Sequence, residues 1–321
     1  MVMKTYIYFI ALSLLTSCSV NTDKNSFIAR EEKHHVINGQ VVTTLDSPSN
    51  SVVAVVITDP ENEAYSNICT GVLIGTNTLL TAAHCFDDED PTKNYQYKVV
   101  YATAVKHQQP QSASIIKKFI KHPEFNSIKK RWVFRNNKYL DPETDPSFYP
   151  AAGDKVYLVP QLDHDLAVAY FSDLLPIGYK PATLDRSSDA DYSNKQVIFY
   201  GFGYGTDHDS SPLELGKNRY GILRKGKAKI DSDYFAYTDR YYNSKISANS
   251  VCQGDSGGPQ FLATNKGFKL IGINSAVAAD KNYLSTSNSQ LSCLNRSQIS
   301  KVATAVEWIQ QTQFFLERKG Q

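Results

Sequence analysis

From Val36 onward the hydrophobic residues fall in short runs rather than in helical stripes. Residues 51–57 (SVVAVVI), 68–75 (ICTGVLIG), 97–105, 112–120, 155–159, 196–200, 261–263 and 268–273 are rich in β-branched and aromatic side chains and end at turn residues. Such runs predict strands, because branched side chains pack well on a pleated surface. A helix is predicted only near residues 300–314, where Val302, Val306 and Ile309 recur at helical spacing on one face. No repeat of 20–50 residues is visible. Many short strands and one terminal helix predict an all-β barrel or sandwich.

Residues 128–160 break this rhythm. They combine Lys129, Lys130, Arg131, Arg135 and Lys138 with Pro142, Pro146, Pro150 and Pro160. The expectation is a long loop, either functional or simply a solvated insertion.

The N-terminus has a different character. Lys4 precedes an apolar run from Tyr6 to Leu15, and small residues follow. This predicts a signal peptide over residues 1–17, its apolar run too short to span a bilayer as a helix. Leu15-Thr16-Ser17-Cys18 resembles the bacterial lipobox, which implies that Cys18 becomes the first residue and carries lipid. Several acyl chains would hold the protein on a membrane. Ser19 resembles the outer-membrane sorting pattern. Residues 18–35 are polar and unpatterned and read as a tether or propeptide, leaving 36–321 as one folded unit.

Composition narrows the function. The 321 residues are 41% hydrophobic and 21% charged, which is ordinary for a globular protein. The net charge of +2 offers no field to attract nucleic acid. Five cysteines stand at 18, 69, 85, 252 and 293. With Cys18 lipidated, four remain, suited to two disulfides in an exported protein. Four cysteines allow three pairings.

Gly254-Asp255-Ser256-Gly257-Gly258 fits the G-x-S-x-G pattern of the α/β-hydrolase nucleophile elbow. That fold requires its histidine after the serine, and all seven histidines (34, 35, 84, 107, 122, 164, 208) precede Ser256. The α/β-hydrolase reading fails, and the order His, Asp, Ser remains.

Three motifs stand in that order. Thr81-Ala82-Ala83-His84-Cys85, His164-Asp165-Leu166-Ala167-Val168 and Cys252-Gln253-Gly254-Asp255-Ser256-Gly257-Gly258-Pro259 resemble the histidine, aspartate and serine motifs of trypsin-like serine peptidases. Val36-Ile37-Asn38-Gly39, Gly201-Phe202-Gly203 and Val306-Glu307-Trp308-Ile309 are lesser echoes. The resemblance covers about 36–312. It implies two six-stranded antiparallel β-barrels, roughly 36–185 and 186–300, packed with a cleft between them, then a C-terminal helix. His84 and Asp165 would lie on the first barrel and Ser256 on the second.

The chemistry accounts for these residue types. A serine hydroxyl is a weak nucleophile and needs an adjacent base. His84 would take the Ser256 proton, and Asp165 would fix the His84 tautomer and stabilise the imidazolium. Asp163 is a rival two residues away, but the hydrophobic-Ala-Val continuation follows Asp165. The N–H groups of Gly254 and Ser256 would form the oxyanion hole. The resemblance further implies disulfides Cys69–Cys85 and Cys252–Cys293. It implies activation by cleavage before Val36, whose new α-amino group pairs with Asp255; the bond cut, His35–Val36, lacks the Lys or Arg of trypsin-type activation.

The resemblance aligns Ser250, Ser275 and Val277 with the specificity pocket. Ser250 stands where trypsins carry an acid, and Val277 narrows the mouth, so small or medium apolar residues are expected before the cut bond. The acidic run Asp87-Asp88-Glu89-Asp90 lacks the spacing of a calcium loop. No metal or cofactor is implied. The expected partners are protein or peptide substrates and a membrane, reached through lipid on Cys18, with no nucleic acid and a monomeric chain. The expected location is the outer membrane or cell surface, with release to periplasm or exterior on cleavage. The rival reading is a non-catalytic surface lipoprotein that uses the same fold as a binding scaffold.

Overall fold

A computed structural model describes Val36, residues 39–319 apart from several loops, and nothing before Val36. Outside the described residues lie 1–35, 37–38, 60–61, 88–92, 107–110, 136–137, 141–154, 188–190, 206–220, 232–238, 244–248, 279–292, 294–295 and 320–321. The signal peptide, Cys18, the tether and most of the acidic run therefore fall outside it.

The chain enters by a short strand, β1 (Gln40–Val41), and then builds β2 (Val52–Asp59), β3 (Asn62–Leu73), β4 (Thr78–Thr81), β5 (Gln96–Val100) and β6 (Ala113–Lys121). After β7 (Asn126–Arg135), β8 (Lys138–Leu140) and β9 (Lys155–Asp163), strand β10 (Ala167–Phe171) returns. It pairs with both β4 and β6 and closes a six-stranded barrel in the order β10-β4-β3-β2-β5-β6. The barrel is small enough for its lumen to fill with side chains. Val53, Val55, Val72, Leu80, Val99 and Val168 are all buried there.

Strands β11 (Gln196–Gly201), β12 (Arg224–Lys229), β13 (Arg240–Asn243), β14 (Pro259–Thr264), β15 (Gly267–Ala278) and β16 (Arg296–Lys301) join β1 in a seven-stranded sheet. Its order is β1-β12-β11-β14-β15-β16-β13. An isolated bridge, Ile230 opposite Asn243, links the end of β12 to β13. Val36, Val197, Phe199, Tyr241, Ile271 and Ile299 fill a second buried cluster beneath this sheet.

Helix α1 (Val306–Lys319) follows a 3-10 turn at Ala303–Ala305. It begins later than the apolar spacing predicts, because Ser300 and Lys301 extend β16 and pair with β13 and β15. Ile309 and Leu316 are its buried anchors, packed on the barrel core. Among the described residues no helix is long and apolar enough to cross a membrane.

The expected loop at 128–160 is corrected in its flanks. β7 pairs with β9 from Asn126–Asp163 to Phe134–Lys155, and with β8 on its other edge, making a separate three-stranded antiparallel sheet. Ile128, Trp132, Val133 and Phe134 carry strand propensity that the intervening charges obscure. Pro160 is tolerated because β9 is an edge strand. Residues 141–154 at its tip, with Pro142, Pro146 and Pro150, lie outside the described residues.

Candidate active site

The serine loop is moulded by glycine. Cys252 to Gly258 makes two tight turns, in which the Asp255 N–H donates to the Cys252 carbonyl and the Gly258 N–H to that of Asp255, each at 3.0 Å. Gly254 and Gly257 adopt φ of 90° and 81°, in the region that favours glycine. A Cβ on Gly257 would fall on the Thr81 hydroxyl and the Thr70 carbonyl. A Cβ on Gly201 would fall on the Asp255 carboxyl.

Ser256 is tied to the first barrel through its own backbone. Its carbonyl accepts the Thr70 N–H at 2.7 Å, and the Thr70 hydroxyl donates to the Gly254 carbonyl at 2.9 Å. Cys69, next to Thr70, is disulfide-bonded to Cys85, which follows His84. Two hydrogen bonds to Thr70 and the covalent path Thr70–Cys69–Cys85–His84 thus connect the serine loop to the histidine. His84 lies on a 3-10 turn, Ala83–Phe86.

Asp165 is fully buried and fully engaged. Its Oδ2 lies 2.7 Å from His84 Nδ1, and its Oδ1 accepts the His84 backbone N–H at 2.9 Å. A carboxylate can only accept, so this contact fixes the proton on Nδ1 and leaves Nε2 with the lone pair a base needs. The Ser275 hydroxyl donates to the same Oδ2 at 2.7 Å. Asp163, the rival acid, forms an ion pair with Arg240 instead.

The electrostatics follow from these contacts. Burial disfavours a charged His84, but the Asp165 charge and hydrogen bond outweigh it and raise the imidazole pKa above its ordinary value. Burial likewise opposes a charged Asp165, and the His84 and Ser275 contacts overcome it and lower its pKa. Asp255 is different. Burial pushes it up to about 7, against N–H donors from Cys252 (2.9 Å) and Gly203 (2.8 Å) and the nearby Arg224 guanidinium.

The hydroxyl of Ser275, a residue the resemblance aligns with the pocket, braces the aspartate. A register shift between Asn274 and Ala276 against β16 marks a local bulge at Ser275. Bulges of this kind re-aim side chains near functional sites. Thr70 and Asn274 escaped the sequence reading altogether. The Asn274 side-chain amide donates to the carbonyls of Tyr200 (3.3 Å) and Asp255 (3.2 Å), and the Asn274 backbone carbonyl accepts the Gly257 N–H at 2.8 Å. Nothing in the local sequence marks these bonds, since their partners lie well apart in the chain, as the separation of 19 residues from Asp255 to Asn274 shows.

The remaining predicted residues lie in two places. Val277 pairs with Ser297 and packs against the Cys252–Cys293 disulfide, as does Tyr204. The Val251 N–H donates to the Ser297 hydroxyl at 3.3 Å, so half-buried Ser250 sits beside the same wall. Val36 is fully buried among Val197, Phe199, Ala228 and Val251, and Asp255 is fully buried beside Gly201 and Gly203.

Residues 37–289 match the family model described as Trypsin. The chain belongs to the trypsin family. Among curated proteins it is similar to mouse transmembrane protease serine 11C, 24% identical over 62% of this chain and 39% of that protein. It is similar to rat kallikrein-8, 26% identical over 60% of this chain and 61% of that protein. Mouse serine protease 28 is 24% identical over 78% of this chain and 80% of its own. The chain thus spans less than two thirds of the first two relatives. The two disulfides expected of a trypsin-family domain are both present, Cys69–Cys85 and Cys252–Cys293.

Proposed function

We propose that this trypsin-family chain is a serine endopeptidase that works through an acyl-enzyme on Ser256. The observation that carries the reading is the hydrogen-bonded line Ser275–Asp165–His84, with Ser256 tied beside it through Thr70 and the Cys69–Cys85 disulfide. His84 Nε2 takes the Ser256 proton as its oxygen attacks the carbonyl carbon. The imidazolium, balanced by Asp165, then protonates the departing amine. The N–H groups of Gly254 and Ser256 bind the oxyanion; loss of one such donor costs about 100- to 1000-fold in rate. Water attacks the ester with His84 again as base, freeing the acid and Ser256.

The seven-stranded sheet, bridged at Ile230 and Asn243, serves in this reading as the second barrel. Val277 against the disulfide supports a narrow pocket that takes small or medium apolar residues. A peptide library treated with chain starting at Val36 tests this. Cleavage after apolar residues that disappears in Ser256→Ala is expected; a profile dominated by Arg or Lys would refute the pocket, and no difference from Ser256→Ala would refute the peptidase.

In the same reading the enzyme is exported, held by lipid on Cys18 and released by cleavage before Val36. None of the four disulfide-bonded cysteines is left to tether residues 18–35. N-terminal sequencing of membrane and soluble fractions checks it: soluble chain beginning at Val36 is expected, and active enzyme found only as uncleaved acylated chain would contradict it.

A further inference from the structure

Three metal-ligating side chains meet outside the catalytic line. His122 follows β6, Glu124 lies two residues later, and His164 follows β9; their donor atoms all lie within 4.8 Å of one another. The two imidazoles are stacked, with centroids 4.8 Å apart and planes 12° from parallel. The Trp308 ring holds the outer side of His122, tilted at 61° with centroids 4.7 Å apart. The backbone is fixed on both sides. The His122 N–H donates to the Leu166 carbonyl at 2.8 Å, and the Phe125 N–H to the His122 carbonyl at 2.9 Å. His164 itself is held at φ 48°, an uncommon value for a residue with a Cβ, with its N–H on Asp239 at 3.2 Å.

We infer that His122, Glu124 and His164 form a binding site for a borderline divalent cation of the Zn2+ class. Two imidazoles and one carboxylate are a donor set zinc takes, with solvent in the fourth position. Ligands about 2.0–2.1 Å from a tetrahedral ion lie about 3.4 Å from each other. His164 Nε2 and Glu124 Oε2 are already 3.4 Å apart. The Glu124 backbone N–H donates to His122 Nδ1 at 3.2 Å, which leaves the lone pair of that ring on Nδ1. The bond is long and near solvent, so coordination gives up little when it replaces it. Nitrogen lone pairs lie in the ring planes, so coordination requires the half-buried His122 ring to turn out of its stack on His164, with exposed Glu124 following.

The site is independent of the peptidase reading, so it is tested on full chain carrying Ser256→Ala. Calorimetric titration of chelator-treated protein with ZnCl2 should give one bound ion per chain. Glu124→Gln and His122→Ala should each weaken it by about 10-fold or more, as losses around zinc ligands do. Co2+ in place of Zn2+ should give the visible absorption of a four-coordinate ion, lost in both variants. Glu124→Gln changes an exposed side chain, so it decides the matter if removing His122 from Trp308 loosens the fold. Absence of one-to-one binding, or affinity unchanged in Glu124→Gln, would overturn the site; the second result would move the ion to other ligands such as His34 and His35.

Discussion

At the scale of single residues, the two buried aspartates behave in opposite ways. Asp165 has its charge compensated by His84 and Ser275, and its pKa falls. Asp255 is equally buried, but its compensation is incomplete, and it rises to about 7. A carboxyl that titrates near 3.8 when unfolded and near 7 when folded favours folding below pH 4, and that contribution is lost as pH rises to 7. The loss is about 4 kcal/mol at roughly 1.4 kcal/mol per unit. An α-ammonium at Val36 would restore the missing partner. The stability gained by cleavage before Val36 should therefore grow between pH 5 and pH 7.5, seen as a widening Tm gap of several degrees between cut and intact chain. A gap independent of pH would remove Asp255 from the activation scheme. The nearness of His84 and Asp165 was legible because their motifs are local strings. The Ser275 hydroxyl on Asp165 was not, because the bond spans 110 residues and depends on a bulge in β15.

At the scale of elements, dense β-branched and aromatic runs exposed some strands, and other strands carried no such signal. β2 and β3 were plain in the sequence as dense β-branched runs. β12, which reads RKGKAK, was not: its buried Arg224, Gly226 and Ala228 alternate with lysines and show no hydrophobic signal. Arg224 is paid for by carbonyls, donating to Gly203 and Ile222 at 3.3 Å each. β7 was concealed by basic residues, and β9 was anticipated only over 155–159, short of Pro160. β7 pairs with β8 and β9, outside the closed barrel, so the sheet is separable from the barrel hydrogen bonds. Replacing residues 129–159 by a short turn should leave hydrolysis of a small ester within about 3-fold of the intact chain, since additivity holds for independent parts. The anchors at Leu162 and Asp163, bonded to Gln298 and Arg240, are retained in that variant. A loss of 100-fold or more would mean that the sheet positions Asp165.

At the scale of the whole molecule, the proposed catalysis rests on two halves of the chain meeting at one seam. Thr70 joins β3 to the serine loop, and the Phe202 N–H donates to the Thr70 hydroxyl at 3.0 Å. Asp165 receives Ser275 from β15 across the same seam. Strand patterning alone reached only the class, all-β, because pairing order depends on contacts far apart in the chain; the six-stranded barrel within 36–185 was expected from the resemblance, and the structure closes it. The charge of +2 was uninformative about this seam, which is built from hydrogen bonds and glycine turns. The central claim is that this seam activates Ser256 as a nucleophile. It is tested most directly by treating chain starting at Val36 with a fluorophosphonate and measuring intact mass. One adduct per chain, on Ser256 and absent in Ser256→Ala and after active-site acylation, is the predicted result; cleaved, folded wild-type chain that takes up no label would contradict it.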